Sequence, residues 1–160
     1  YDYLLTVQEN SHLYNGFNIL IGDESDLYYY SKHGNKIIKI EPGIHGLSNH
    51  SLNTPWPKIT LGTRLLKEAT ATPDKISQHK LFNILENSSR PSDEELPNTN
   101  IPIEWERLLS PIFIESTDYG TRAKTVLTID YNNNITFIEK SLDINTKQWN
   151  ESFFYYKMQK

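Results

Sequence analysis

Between residues 17 and 40, three short apolar runs follow one another with only turn residues between them, and this most limits what the chain can become. The runs are "FNILIGD", "LYYYS" and "KIIKI", parted by "DESD" and "HGN". Runs of this length suit strands rather than helices, and turns this tight join antiparallel neighbours. The spacing predicts a three-stranded antiparallel meander. "FNILIGD" is nearly continuous in apolar residues, as expected of a strand covered on both faces. Tyr28, Tyr29 and Tyr30 fit half-buried strand positions better than a platform for stacking bases.

Helical spacing flanks the meander. Upstream, "YDYLLTVQENSHLY" carries Leu4, Leu5 and Val7 with no breaker before Asn15-Gly16. Downstream, Leu61, Leu65, Leu66 and Ala69 recur at helical intervals, predicting a helix over 58–71. A second helix is predicted over 73–87, with Thr72 as N-cap and Pro73 at the first helical position. Its apolar face is drawn through Leu81, Ile84 and Leu85, with Phe82 on the flank. Residues 88–100 are polar and broken by proline, which predicts a mobile loop. "WERLLSPIFI" reads as a short helix or an irregular apolar segment. "AKTVLTID" and "ITFIEK" are strands joined by "YNNN", where Asn tolerates a left-handed backbone, and "ESFFYYKM" is a last strand. Strands, then helices, then strands predict a layered α+β fold. A chain of 160 residues is expected to form a single domain, 1–160, around a real core.

Charge and composition remove several classes of function. A net charge of −4 with no basic stripe argues against a general nucleic-acid binder. There is no cysteine, so disulfides, thiolate catalysis and thiolate metal sites within the chain are excluded. No apolar run approaches the roughly 18 to 20 residues of a transmembrane span, and the chain is expected to be cytoplasmic. No P-loop, dinucleotide fingerprint or nucleophile elbow is present.

Two segments carry candidate site residues. In "GIHGLSNHSLNTPWPKI", residues 43–59, Gly43 and Gly46 permit tight turns and close approach by a ligand. Asn49 offers a donor and an acceptor, suited to a carbonyl or a developing oxyanion; its plainer role is to cap its own turn. In "DYGTRAKTVLTID", Arg122 follows Gly120 and Thr121 at the start of a strand. It can present its planar fork to an anion or carbonyl, or pair at the surface with Asp118 or Glu115. His45 and His50 are five apart, which suits no shared face and argues against a zinc site. Either can serve as an axial haem ligand, since one imidazole suffices.

Taken together, "YNGFNILIGD", "LYYYS", "PGIHGLSNHSLNTPWPKI" and "DYGTRAKTVLTID" resemble, in order and approximate spacing, the NRDE family, the family of transport and Golgi organisation protein 2. The resemblance runs from Tyr14 to about Lys140. Its specific parts are "GLSN" followed by "TPWPK", and "YGTR" ahead of an apolar strand. It implies the αββα sandwich of N-terminal-nucleophile (Ntn) hydrolases. Family members begin with a cysteine after the initiator Met and then the Asn-Arg-Asp-Glu motif. Neither is in this chain, which starts at Tyr1, so the C-terminal part of a longer domain is expected. An N-terminal nucleophile is Cys, Ser or Thr with a free amine as base, a part Tyr1 cannot play.

The resemblance also implies roles. In related choloylglycine hydrolases and penicillin acylases, an Asn before a proline and an Arg before a strand flank the nucleophile. Asn49 and Arg122 are thereby expected to line one pocket, with Ser48, Tyr119 and Thr121 as neighbours. The implied function is ligand binding and trafficking, with haem or another small molecule as ligand and His45 or His50 as the haem ligand. The alternative is an amidohydrolase or acyltransferase whose cysteine lies in the missing N-terminal segment, so that this chain alone is inactive. Sheet edges left open are expected to be covered by that segment or by a second copy.

Overall fold

The computed structural model describes residues 1–23, 25–72 and 76–158. Glu24 of the first predicted turn, and Pro73 of the predicted helix start, lie outside the described residues. The chain divides into two compact units, residues 1–63 and 64–160.

The first unit begins with helix α1 (Asp2–Glu9) and a 3-10 turn (Ser11–Leu13). The meander follows as β1 (Asn18–Gly22), β2 (Leu27–Ser31) and β3 (Lys36–Lys39), antiparallel in the order β1-β2-β3. Tyr30 stands opposite Ile19 on one side and Ile37 on the other. Leu4 and Tyr30 are fully buried and Tyr29 nearly so. Tyr28 is half-buried as expected, whereas Tyr29 and Tyr30 go deeper. A phenol can be buried when its hydroxyl finds an acceptor. Tyr29 donates to Asn18 Oδ1 at 2.8 Å and Tyr30 to Asn35 Oδ1 at 3.1 Å. The expectation for β1 needs correction. It is an edge strand, and Leu20 remains 48% exposed on it. A continuous apolar run does not by itself say how many faces are covered.

Helix α2 (Pro57–Ala69) begins where proline at a first turn costs no hydrogen bond, and Trp56 O accepts the N–H groups of Ile59 and Thr60. In the second unit, α3 spans Gln78–Leu85, shorter than the predicted 73–87, because Ser77 ahead of it is extended (φ −98°, ψ 123°). Helix α4 is Ile103–Leu109. The segment 88–100 is tied down. Arg107 holds Asp93 through two hydrogen bonds of 2.9 and 2.6 Å, and the buried Glu106 carboxylate accepts from Thr99 N and Oγ1.

The second sheet is β4 (Ala123–Ile129), β5 (Asn134–Leu142) and β6 (Trp149–Lys157), antiparallel in that order. Its inner face carries Val126 and Ile138, which form the core with Phe82 of α3, while Leu81 and Leu85 pack around them. Phe82 is therefore the centre of the helix's buried face and not its flank. Its outer face carries the row Leu127, Phe137, Phe154 and the row Ile129, Ile135, Tyr156. Leu127, Ile129, Phe154 and Tyr156 are each about half exposed. Among the described residues, four α-helices and two antiparallel sheets make this an α+β fold. Among the described residues, no helix is long and apolar enough to cross a membrane.

Three hairpin loops each close on one left-handed residue: Asn35 (φ 45°), Asn133 (φ 62°) and Lys147 (φ 58°). Their N–H groups donate to Ser31 O, Asp130 O and Asp143 O at 2.8, 2.9 and 2.8 Å. Asp143 Oδ1 also accepts from the N–H of Asn145 and of Thr146, and these bonds hold its carboxyl below the ordinary range.

Candidate functional site

Two cavities, one in each unit, collect the candidate residues other than His45, which lines neither. In the first unit, the loop that follows β3 is folded by its own polar groups. Asn53 takes a left-handed backbone (φ 60°), its Oδ1 accepts from Gly46 N at 2.9 Å, and its own N–H donates to Gly46 O at 2.7 Å. Gly46 is required by close approach: a Cβ there would meet Ile59 Cγ2 at 2.7 Å and Thr63 Cγ2 at 3.0 Å. The loop is fastened to the sheet by Asn18, whose amide donates to Ser48 O at 3.2 Å and His50 O at 3.1 Å.

Ser48, Asn49 and His50 then line a cavity of about 660 Å³ with Asn18, Ser31 and His33. That volume lies within the usual range for small-molecule sites. The Asn49 side chain makes no hydrogen bond with another described residue, so the turn-capping role is not what occupies it. His33 and His50 rings are 5.1 Å apart, and His50 lies 5.6 Å from the Trp56 ring.

The tautomer of His50 follows from its neighbours. Thr54 Oγ1 gives its only proton to Ser51 O at 2.8 Å, so toward His50 Nδ1, 3.0 Å away, it can only accept. Nδ1 therefore carries the hydrogen and Nε2 keeps its lone pair. This is how a metal-binding histidine is commonly oriented. His45 is arranged otherwise. Its Nε2 donates to Glu41 O at 2.8 Å and its Nδ1 accepts from the Asn53 amide at 2.9 Å, so both ring nitrogens are engaged.

In the second unit, Tyr119, Thr121 and Arg122 line a cavity of about 530 Å³ together with Ile144, Lys147 and Trp149. Thr121 shapes it: its N–H donates to Ile114 O at 2.8 Å and its Oγ1 accepts from Ile114 N at 3.0 Å. Tyr119 packs edge-on against Trp105 at 6.4 Å. The Arg122 guanidinium makes no ion pair or hydrogen bond with another described residue, and neither Asp118 nor Glu115 pairs with it. The Trp149 wall is held from behind by the buried Lys124, whose Nζ sits 4.0 Å from the ring centroid and 2.7 Å from Glu86 Oε1.

The structure thus brings Ser48, Asn49 and His50 together, and brings Tyr119, Thr121 and Arg122 together, each group within its own unit. Sequence reasoning missed Asn18, His33, Lys147 and Trp149. Asn18 left one signal, a polar residue at the head of an apolar run. Among the described residues, no cluster of three or more His, Cys, Asp or Glu is placed to hold a metal ion.

Asn18→Ala tests the fastening. It removes two donated bonds and strands the Tyr29 hydroxyl, so a loss of about 2–3 kcal/mol is expected in urea unfolding. The ring resonances of His50 should also shift. An unchanged unfolding midpoint would show that the loop holds itself.

Comparison with known proteins places similarities along nearly the whole chain. A family model described as Transport and Golgi organisation 2 matches residues 1–144. The chain is similar to the Transport and Golgi organization 2 homolog of Mus musculus, with 33% identity over 175 residues, covering 98% of this chain and 62% of that protein. It is also similar to the homologs of Bos taurus, with 32% identity over 153 residues, and of Homo sapiens, with 30% over 175. These cover 88% and 98% of this chain, and 55% and 62% of those proteins. The chain spans less than two thirds of the length of these curated relatives.

Proposed function

This chain belongs to the Transport and Golgi organisation 2 family, and from that premise we propose that it is part of a ligand-binding and trafficking protein whose cargo is haem or another anionic amphiphile. The observation that carries this reading is that His50 lines a cavity of ligand size, and that its Nδ1 contact with Thr54 Oγ1 leaves Nε2 without a hydrogen-bond partner among the described residues. His50 would hold haem as cargo through its Nε2, and Trp56 packs beside its ring. His45 is set aside, because both of its nitrogens already hold the loop. Ser48 and Asn49 line the same cavity and supply polar contacts. In the second unit, Arg122 receives a carboxylate or phosphate with its unpaired fork, beside Tyr119 and Thr121. An amide-cleaving reading requires a nucleophilic cysteine that this chain does not contain.

Titration of the whole chain with haemin tests the reading. A saturable shift of the Soret band is expected, lost in His50→Ala and kept in His45→Ala. No saturable binding in a chain shown by circular dichroism to be folded would falsify it.

A further inference from the structure

We propose that Lys147 is the second cation of the Arg122 cavity, and that this cavity takes an amphiphile whose headgroup carries two negative charges. The inference rests on the reading of Arg122 as a ligand contact and extends it to the class of headgroup.

The first observation is a residue out of place. Among the described residues, five non-glycine residues have a left-handed backbone, and four of them are asparagine: Asn35, Asn53, Asn100 and Asn133. The fifth is Lys147 (φ 58°). Asparagine and glycine tolerate that conformation, whereas a long side chain is disfavoured in it. Folding alone would favour asparagine at the β5–β6 loop, as at the β4–β5 loop. A residue kept in a disfavoured conformation is a pointer to a role beyond stability.

The second observation is the company it keeps. Lys147 lines the same cavity as Arg122. No described residue provides a side-chain partner for either cation. The nearby Asp143 carboxylate is taken up by the N–H groups of Asn145 and Thr146. Glu115 and Asp118 also line the cavity and pair with neither cation. Ile144 and Trp149 supply an apolar wall, and Trp149 is fixed by Lys124. A planar fork that accepts two oxygens, a point charge for the second negative charge, and an apolar wall together match a doubly charged head on an apolar body.

The test is calorimetric titration of the whole chain at pH 8 with three probes below their micellar concentrations. Decyl phosphate and decylmalonate are dianions, and decanoate is a monoanion. The wild-type chain is expected to prefer both dianions over decanoate by about tenfold, the worth of one charge-assisted contact. Lys147→Asn is expected to erase that preference while raising the thermal midpoint, and Lys147→Gly to do the same. Arg122→Gln is expected to weaken all three probes. Binding of only one dianion supports the two-charge site and identifies its head as phosphate or dicarboxylate. A Lys147→Asn chain that keeps the dianion preference overturns the inference; if Arg122→Gln still weakens binding, the reading of Arg122 stands. An Arg122→Gln chain that binds all three probes like wild type overturns both.

Discussion

Replacing Phe82 with alanine is expected to cost about 3–5 kcal/mol of stability, the largest single effect of any change considered for this chain. The ring is 4% exposed and sits where α3 meets Val126 and Ile138 of the second sheet. Truncation loses the transfer free energy of the ring and leaves a void that Leu81 and Leu85, only partly buried, cannot close without moving α3. The Lys140 ammonium also rests 4.4 Å from the ring centroid, and its attraction to the aromatic face disappears in the variant. Since a domain is stable by only about 5–15 kcal/mol, the variant should stand near its threshold at ambient temperature. Urea unfolding followed by far-UV circular dichroism measures the loss. Leu81→Ala, on the rim of the cluster, should lose less than half as much. If the two variants lost equal amounts, Phe82 would not be the centre of the core.

The second large effect concerns Lys124, a cation 7% exposed in its side chain whose ammonium rests on Glu86 Oε1 at 2.7 Å. Removing the carboxylate with Glu86→Ala leaves that charge buried with only the rings of Trp149 and Phe113 beside it, at 4.0 and 5.3 Å. Breaking a wholly buried pair costs more, but Glu86 is 41% exposed and water already screens part of its charge. A loss of about 2 kcal/mol near neutral pH is expected. Adding Lys124→Met to the variant should recover most of it, because an apolar side chain of similar length needs no partner.

The pair also has a pH signature. The hydrogen bond from Lys124, and then the charges of Lys124, Lys140 and His79, hold the Glu86 carboxyl below its ordinary value of 4.5. A carboxylate lowered in the folded state stabilises fully above its unfolded value and loses that contribution as pH falls through the folded one. The gap between wild type and Glu86→Ala should therefore be steady at neutral pH and narrow in acid below about 4.5. A gap that widened in acid would place the coupling elsewhere.

The parts of this fold that could be read in advance are those written locally. The meander was legible because its strands are short and its turns tight, and α2 because Leu61, Leu65, Leu66 and Ala69 recur at helical intervals. Leu81 and Leu85 were placed rightly on the buried face of α3, but Phe82 was set at its flank because Leu81, Ile84 and Leu85 satisfy helical spacing as well as Leu81, Phe82 and Leu85 do. Only the opposing strands decide between them. Glycines and the polar pair Ser48-Asn49 marked one cavity wall in the sequence. Asn18, which holds that wall, acts across 30 and 32 positions of chain and leaves no local pattern. Asn133 was foreseeable as a left-handed residue, being asparagine in a run of asparagines. Lys147 was not, since nothing in a lysine announces that backbone.

The outer face of β4, β5 and β6 bears on how this chain responds to temperature. Leu127, Ile129, Phe154 and Tyr156 are already wet in the native state. Unfolding then uncovers less fresh hydrocarbon than in a domain with both sheet faces dry, and newly hydrated hydrocarbon is the main source of the heat capacity increment. A small increment flattens the curve of free energy against temperature. The chain's resistance to heat and to cold is therefore expected to be shallow and broad, without a sharp optimum.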